Sequence, residues 1–135
     1  ADPSEEFDRF AEWSLILVER MHAAGVPVGA GTDTPILLAV PGFSLHSELE
    51  FLVQAGLSPM EALEAATVRP AEYFALQDTM GTIDVGRVAD LVLLDANPLE
   101  NIANTRSISA VVTQGRLMTA SDLTALLETN EALAR

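Results

Sequence analysis

The segment Val26–Asp33 constrains the fold of this chain more than any other part of its sequence. It contains small and β-branched residues without polar alternation, and it ends in the polar residues Thr32 and Asp33. This pattern is typical of a strand that is buried on both faces, as in parallel sheets covered by helices. A single parallel strand would leave both of its edges unpaired. We therefore expect neighbouring strands from a partner chain, from a self-swapped oligomer, or from a larger protein that includes this chain.

Helices are predicted on both sides of this segment, and most of them carry their own start or stop signals. The clearest signal is the capping box Ser58-Pro59-Met60-Glu61, which has proline at the first helical position. Proline also predicts a break, because its ring clashes with the carbonyl of the preceding turn. The predicted helices run from Asp2-Pro3 to Gly25, over 47–55, from Ser58 to Arg69-Pro70, and over 70–76.

Beyond Gln77 the sequence changes to short strands separated by turns. Strands are predicted over 88–94 and 108–113, and Gln114-Gly115-Arg116 predicts a hairpin turn into Leu117 and Met118. Ser121-Asp122 is expected to cap a closing helix. We therefore divide the chain into residues 1–76, with the buried strand and its helices, residues 77–120, a small mostly antiparallel β part, and residues 121–135, a C-terminal helix.

The charge and the composition exclude several classes of function. The formal net charge is −13, with 20 acidic residues against 7 basic ones, all arginine. Such a surface repels phosphate backbones and anionic lipid, so neither nucleic acid nor a membrane is expected as a partner. The absence of cysteine excludes disulfides and thiolate metal sites. The acidic start lacks the positive charge of a secretory signal, and a cytoplasmic location is therefore expected.

Asp33 is the first candidate for a catalytic or metal-binding residue. A carboxylate just past the carboxyl end of a buried parallel strand lies where barrel enzymes keep their catalytic groups. There it could bind a divalent cation or hold a proton near a substrate. From the local pattern alone, the alternative of an aspartate that caps its own turn remains open.

Five motifs in order then give this local pattern a wider context. Together they resemble the C-terminal end of the amidohydrolase superfamily, in its imidazolonepropionase-like and Xaa-Pro-dipeptidase-like branch. The resemblance covers roughly residues 26 to 118. The motifs are Gly29-Ala30-Gly31-Thr32-Asp33, then Pro41 to Leu49, Ala55 to Leu63, Ala65 to Ala71, and Gly81 to Asp95.

The resemblance implies an α/β fold, namely the C-terminal piece of a (β/α)₈ barrel together with its share of a small β-sandwich. Val26–Gly31 would be the eighth barrel strand, 46–75 the helices after it, and 80–118 the sandwich share. The implied activity is metal-dependent hydrolysis of amide, cyclic amide or dipeptide C–N bonds, with zinc or a similar divalent ion. By the resemblance, Asp33 ligates the metal, accepts a proton from the attacking water and helps to protonate the leaving nitrogen.

The same resemblance indicates that most of the metal ligands lie outside this chain. The family also uses a His-x-His pair, a lysine or glutamate, and two further histidines, whereas this chain has no lysine and only His22 and His46. A zinc site usually takes about three protein ligands plus water. We therefore expect a fragment or a split enzyme that is inactive alone. The alternative is a non-catalytic remnant that acts as an oligomerising or interaction module.

The remaining candidate residues are assigned either to the substrate pocket or to structural roles. His46 and Thr32 are assigned to the substrate pocket, although His46 could instead bind local backbone at its helix start. His22 is expected to interact with a helix C-terminus, where positive charge is favourable. Asp90 and Arg69 are expected to have structural roles, in a turn and in a local ion pair. Ser44 lacks a nucleophile elbow, and Gly29-x-Gly31 lacks the third glycine of a dinucleotide fingerprint.

Overall fold

The computed structural model describes residues 3–36 and 39–133. Helices make up most of the N-terminal part, and a three-stranded antiparallel sheet follows them. The elements in chain order are α1 Pro3–Ala23, α2 Phe43–Gln54, α3 Pro59–Ala66, α4 Val68–Tyr73, β1 Leu91–Leu94, a 3₁₀ helix Ile102–Arg106, β2 Ile108–Thr113, β3 Arg116–Thr119 and α5 Ala120–Leu133.

The core is small and lies where α2, α3 and the 3₁₀ helix meet. Its buried apolar side chains are flanked by partly buried ones from α1 and from the segment 26–30. Burial of each leucine or isoleucine side chain in the core stabilises the fold by about 1.5–3 kcal/mol, and the alanines contribute less. The buried members are Leu49, Leu52, Leu57, Ala62, Ala65 and Ile102.

Several helix boundaries differ from the predicted ones: α2 begins at Phe43, four residues before the predicted start at 47, and α4 ends at Tyr73 and not at 76. The capping box is formed, because the Ser58 hydroxyl accepts from the Glu61 N–H and the Glu61 carboxylate accepts from the Ser58 N–H at 2.8 Å. The predicted break at Arg69-Pro70 falls earlier, at Thr67. A continuous helix would push the Pro70 ring against the carbonyl four residues before it, and the break places Pro70 in the first turn of α4 instead.

The start of the closing helix was predicted wrongly. Thr119, not Ser121, precedes α5, and its N–H and hydroxyl both donate to the Asp122 carboxylate at 2.8 and 2.7 Å. Asp122 thus fills the third-position role of a capping box. These hydrogen bonds hold the pKa of the Asp122 carboxyl below its usual value. At the other end of the chain, the predicted cap Asp2 lies outside the described residues.

The sheet has the order β1-β2-β3, and both pairs are antiparallel, as predicted for the β part. Gln114 and Gly115 both have positive φ, at 50° and 79°, which is the geometry of a tight two-residue hairpin turn. The Asp90 carboxylate accepts from the Gln114 N–H at 2.6 Å and so stabilises this turn. The structural role predicted for Asp90 is confirmed.

The predicted strand over 26–31 is not formed within the described residues. Its backbone forms few hydrogen bonds, and their partners lie on helices. The Ala30 N–H donates to the Ala65 carbonyl at 2.8 Å, and the Gly31 N–H donates to the Glu48 carboxylate at 3.3 Å. A strand is defined by hydrogen bonds to neighbouring strands, and the only strands described here pair with one another. The segment therefore lies extended across α3 without a ladder.

Candidate functional site

Asp33 stands at the point where the segment 26–31 leaves the helices. Val28 and Ala30 pack against the core and so fix the direction of the segment. Asp33 itself is exposed and adopts the left-handed conformation, with φ of 52°. Among non-glycine residues, Asp and Asn enter this region most readily. The turn is closed by the Asp33 carbonyl, which accepts from the Ile36 N–H at 3.0 Å.

The carboxylate of Asp33 makes no hydrogen bond and no ion pair with any residue in the ranges 3–36 and 39–133. It is therefore open to solvent on the described part of the chain. Thr32, the other residue predicted at this end of the segment, is half-buried. Thr32 and Asp33 are consecutive residues at this end of the segment.

Glu48 is a contributor that the sequence did not reveal. Its carboxylate accepts from the Gly31 N–H, so α2 holds the backbone two residues before Asp33. Glu48 follows His46 by two positions in a motif that was singled out, but neither periodicity nor spacing indicated this contact. Its effect is to position the loop that carries Asp33.

His46 lies in the first turn of α2 and points toward the 3₁₀ helix. Its Nδ1 is 3.0 Å from the hydroxyl of Thr105, which is 6% exposed. Burial, and next the positive charge of Arg106, lower the pKa of His46 below its usual value, although Glu50 opposes this. The imidazole is therefore neutral near neutral pH. Within the described residues, no hydrogen bond or ion pair joins it to Asp33.

Arg106 strengthens the same junction between α2 and the 3₁₀ helix. Its guanidinium donates to the Glu50 carboxylate at 3.0 Å and to the Ser47 hydroxyl at 3.0 Å. No pattern in the sequence indicated Thr105 or Arg106, because both meet α2 only through the tertiary fold.

The other two residues predicted to be structural, His22 and Arg69, each lie close to a carboxylate. His22 Nε2 lies 3.6 Å from the Glu61 carboxylate near the end of α1. Arg69 donates to Glu72 at 2.9 Å and lies 3.7 Å from Glu64, which confirms the predicted local ion pair. Neither residue belongs to the candidate site.

The described residues do not form a metal site by themselves. No group of three or more histidine, cysteine, aspartate or glutamate side chains converges anywhere in them. Asp33 could supply one oxygen ligand, which is a chemistry that divalent cations accept. The donor set of this part of the chain is therefore at most a fraction of a metal site.

Two open grooves flank the segment 26–30 instead. One, of about 490 Å³, lies between Pro27–Ala30 and the α4 region, which contributes Pro70, Tyr73 and Phe74. The other, of about 460 Å³, lies on the side of His22 and Leu57. Neither groove is lined by Asp33 or His46, so both grooves lie beside the segment and not at the candidate site. No described helix is both long and apolar enough to cross a bilayer.

The fold is a mixed α and β fold, in which helices and a small antiparallel sheet follow an apolar segment. The exposed Asp33 at the end of that segment is the candidate site. The sequence model of the amidohydrolase family matches residues 14–118. This chain belongs to the amidohydrolase family. The resemblance predicted from the five motifs is confirmed.

Several individual members of the family are similar to this chain. It is 38% identical to ochratoxinase from Aspergillus niger over 81 residues, which are 58% of this chain and 16% of that protein. It is 33% identical to imidazolonepropionase from Streptococcus gordonii over 86 residues, or 60% of this chain and 26% of the relative. The crystal structure of a Xaa-Pro dipeptidase with bound methionine in its active site matches with a TM-score of 0.72 and 26% identity, over 78% of this chain and 25% of that chain. The matched region thus spans about a quarter or less of each relative.

Proposed function

We propose that this chain forms the C-terminal part of a metal-dependent hydrolase that cleaves carbon–nitrogen bonds of small amides, cyclic amides or dipeptides. Family membership supports the reaction class, and the names of the relatives suggest the range of substrates. The observation that carries the proposal is Asp33, exposed at the end of the segment that matches the family motif.

In this proposal the segment 26–31 is the last strand of a (β/α)₈ barrel. An apolar segment that pairs with none of the described strands and lies beside open grooves is the surface expected where neighbouring strands are to be added. A complete barrel usually takes about 250 residues. The remaining strands would come from a preceding part of the same protein, from a partner chain or from another copy in an oligomer.

Exposed apolar side chains elsewhere also support a barrel that is completed by strands from outside this chain. Phe10 and Trp13 on α1 are 63% and 56% exposed, and Leu93 in β1 is 63% exposed. Contiguous exposed apolar surface usually marks a contact with another protein surface. We infer that α1 lies against the rest of the barrel and that the sheet faces a second sheet of a composite sandwich.

The proposed role of Asp33 is proton transfer. Its carboxylate would accept a proton from the attacking water and return it to the leaving nitrogen as the C–N bond breaks. A divalent ion, when bound, would lower the pKa of the water at the reaction centre. Asp33 would contribute one ligand to that ion, and the other ligands would come from outside this chain.

His46 and Thr32 are proposed as pocket residues that contact the substrate. Both are half-buried, so each could present a polar atom while its remaining surface is packed. Neither residue is required to change its protonation state in the reaction. Their role would be to orient the scissile amide toward Asp33.

The first test is Asp33→Asn in the complete protein. Amide for carboxylate removes the proton acceptor with little change of shape, and we expect kcat to fall by about 10²–10⁴-fold. Asp78→Asn is the matched control, because Asp78 is also exposed but lies outside the segment and its loop, and it should leave kcat unchanged. Normal turnover by the Asp33 variant would remove this residue from the mechanism.

A non-catalytic, oligomerising module is the second candidate. It is favoured by the lack of a three-ligand cluster among the described residues. Metal content separates the two functions: a stoichiometric divalent ion in the purified complete protein supports the hydrolase, whereas a stable metal-free homodimer of this chain supports the module.

A further inference from the structure

The contact between His46 and Thr105 has a defined hydrogen-bond direction. The Thr105 hydroxyl donates to the carbonyl of Ile102 at 2.9 Å, within the 3₁₀ helix. A threonine hydroxyl has one hydrogen, and a carbonyl can only accept. With that hydrogen committed, the oxygen of Thr105 can only accept from Nδ1 of His46, 3.0 Å away.

We infer that Thr105 is a positioning residue that holds His46 in the tautomer protonated on Nδ1, and thereby leaves Nε2 as a hydrogen-bond acceptor for the substrate. This inference rests on the proposed pocket role of His46. Nε2 makes no hydrogen bond to any part of the chain that the structure describes. A bare ring nitrogen matches an N–H donor, which amides and cyclic amides offer beside their scissile bond.

The opposite direction is disfavoured by the burial of Thr105. If its hydroxyl donated to His46 Nδ1 instead, two oxygen lone pairs would face each other across the 2.9 Å to the Ile102 carbonyl. In a buried position no water would compensate for the lost hydrogen bond, and a buried unsatisfied acceptor is costly. The i to i−3 hydroxyl bond within the 3₁₀ helix therefore sets the direction of the contact to His46.

The surroundings keep the two partners in place and the ring neutral. Arg106 bridges to Glu50 and Ser47 on α2, and Ile102 is buried against Leu49 and Leu52, so the 3₁₀ helix cannot slide along α2 without breaking these contacts. Burial and Arg106 also lower the pKa of His46. Because the neutral imidazole has one donor and one acceptor nitrogen, its tautomer decides what it can offer to a substrate.

This arrangement links the two predicted domains. Thr105 belongs to the β part and His46 to the barrel helices, so the β part would determine a chemical property of the pocket. A shift of the 3₁₀ helix would release the ring to the tautomer protonated on Nε2, which neutral imidazole prefers in water. Nε2 would then be a donor and would repel the same substrate N–H.

The test is ¹⁵N NMR of the complete protein, labelled in its histidine side chains, at a pH well above the pKa of His46. The signals of His46 are assigned by their loss in His46→Gln. The parent protein should carry its hydrogen on Nδ1. Thr105→Val keeps the shape but removes the hydroxyl, and it should move His46 toward the Nε2-protonated form, while Thr105→Ser should retain the parent spectrum.

Thr67→Val is the matched control, because the Thr67 hydroxyl donates to the Leu63 carbonyl at 2.8 Å in the same manner but touches no imidazole. It should leave the His46 signals unchanged. A parent protein with hydrogen on Nε2, or a folded Thr105→Val variant with an unaltered tautomer, overturns the inference. If Thr105→Val does not fold, the parent spectrum alone still decides between the two tautomers.

Turnover measurements distinguish a failure of this inference from a failure of the proposed function. His46→Gln should raise KM or lower kcat if the ring contacts the substrate. An Nδ1-protonated His46 together with unchanged turnover in His46→Gln would support the tautomer and reject the pocket role. An Nε2-protonated ring in a fully active enzyme would reject the positioning role of Thr105 and leave the hydrolase intact.

Discussion

The helix pair α2–α3 and the segment 26–31 are both rich in apolar residues, but their surroundings differ. Leu52 on α2 is 5% exposed, and Ala62 on α3 is fully buried. Beside them the segment is only partly covered: Val26 is 42% exposed, and its backbone pairs with no strand among the described residues. The helices α2 and α3 pack against each other, whereas the segment pairs with none of the described strands.

This difference separates a region that is closed by contacts within the described chain from one that, under the proposed function, is completed by neighbouring strands. Helix pairs close through local contacts, because their hydrogen bonds are internal and only side chains must meet. A buried parallel strand depends on neighbours distant in sequence, since its hydrogen bonds are all external. The complete region positions Asp33 and His46, and the incomplete region is where the rest of the protein is expected.

The largest effects should come from truncating a buried side chain of the helix pair and an exposed apolar side chain of α1. Leu52→Ala in the complete protein should lower the free energy of unfolding by about 2–5 kcal/mol, since Leu52 is already buried. Phe10→Ala should cost about 3–5 kcal/mol if α1 is covered by the rest of the protein. Urea unfolding measures both.

The control for this pair is Glu12→Ala, an exposed position on the same helix, which should change the free energy of unfolding by no more than about 0.5 kcal/mol. A Phe10→Ala variant as stable as this control would mean that α1 faces water in the complete protein. The proposed packing of α1 against the rest of the barrel would then be wrong.

Gly81 tests how closely the turn at residue 81 packs against α4. Its φ is +94°, and a β-carbon built there would lie 2.8 Å from the Ala71 Cβ and 3.1 Å from the Thr67 carbonyl. Gly86 has a similar φ of +88° with nothing within 4 Å. Gly86→Ala should cost about 1 kcal/mol from its backbone conformation alone, and Gly81→Ala should cost a further 1–3 kcal/mol or so from overpacking.

The measurement is again the urea midpoint of each variant against the parent. Equal losses for the two glycine variants would indicate that the approach of residue 81 to α4 is looser than the structure has it. In that event the β part would not be anchored to the helices through this turn.

The smallest effect is a dependence of stability on pH at the junction of α2 and the 3₁₀ helix. The pKa of His46 is lowered on folding, so below its ordinary value of about 6.5 the unfolded chain binds more protons than the folded one. The contribution of His46 to stability is therefore fully present above that value and decreases as the pH falls through it toward the lowered folded pKa. His46→Gln should flatten this part of the stability profile, and an unchanged slope would mean that the ring is solvated.

The sequence predicted well those elements whose signals are local. The Ser58 capping box, the hairpin at Gln114-Gly115 and the strand 108–113 are all formed where they were predicted, because neighbouring residues alone decide these structures. Family membership was likewise predicted from five short motifs in order, and it is confirmed.

The sequence failed where partners distant along the chain decide the outcome. Val26–Gly31 has the composition of a strand but pairs with no strand among the described residues. One local signal was also assigned wrongly, because Thr119 and not Ser121 precedes the closing helix and bonds to Asp122. At the candidate site, Asp33 and His46 were singled out by type and spacing. Glu48 and Thr105 were not, since their contacts at separations of 17 and 59 residues leave no periodic trace.

The most direct test is a crystal structure of the complete protein, with anomalous data collected at the absorption edge of its bound metal. The account predicts an Asp33 carboxylate oxygen within about 2.0–2.2 Å of the ion, and residues 26–31 hydrogen-bonded to a strand on each side. A carboxylate that points into solvent, away from any ion, on a chain whose segment 26–31 still lacks neighbours, would contradict it.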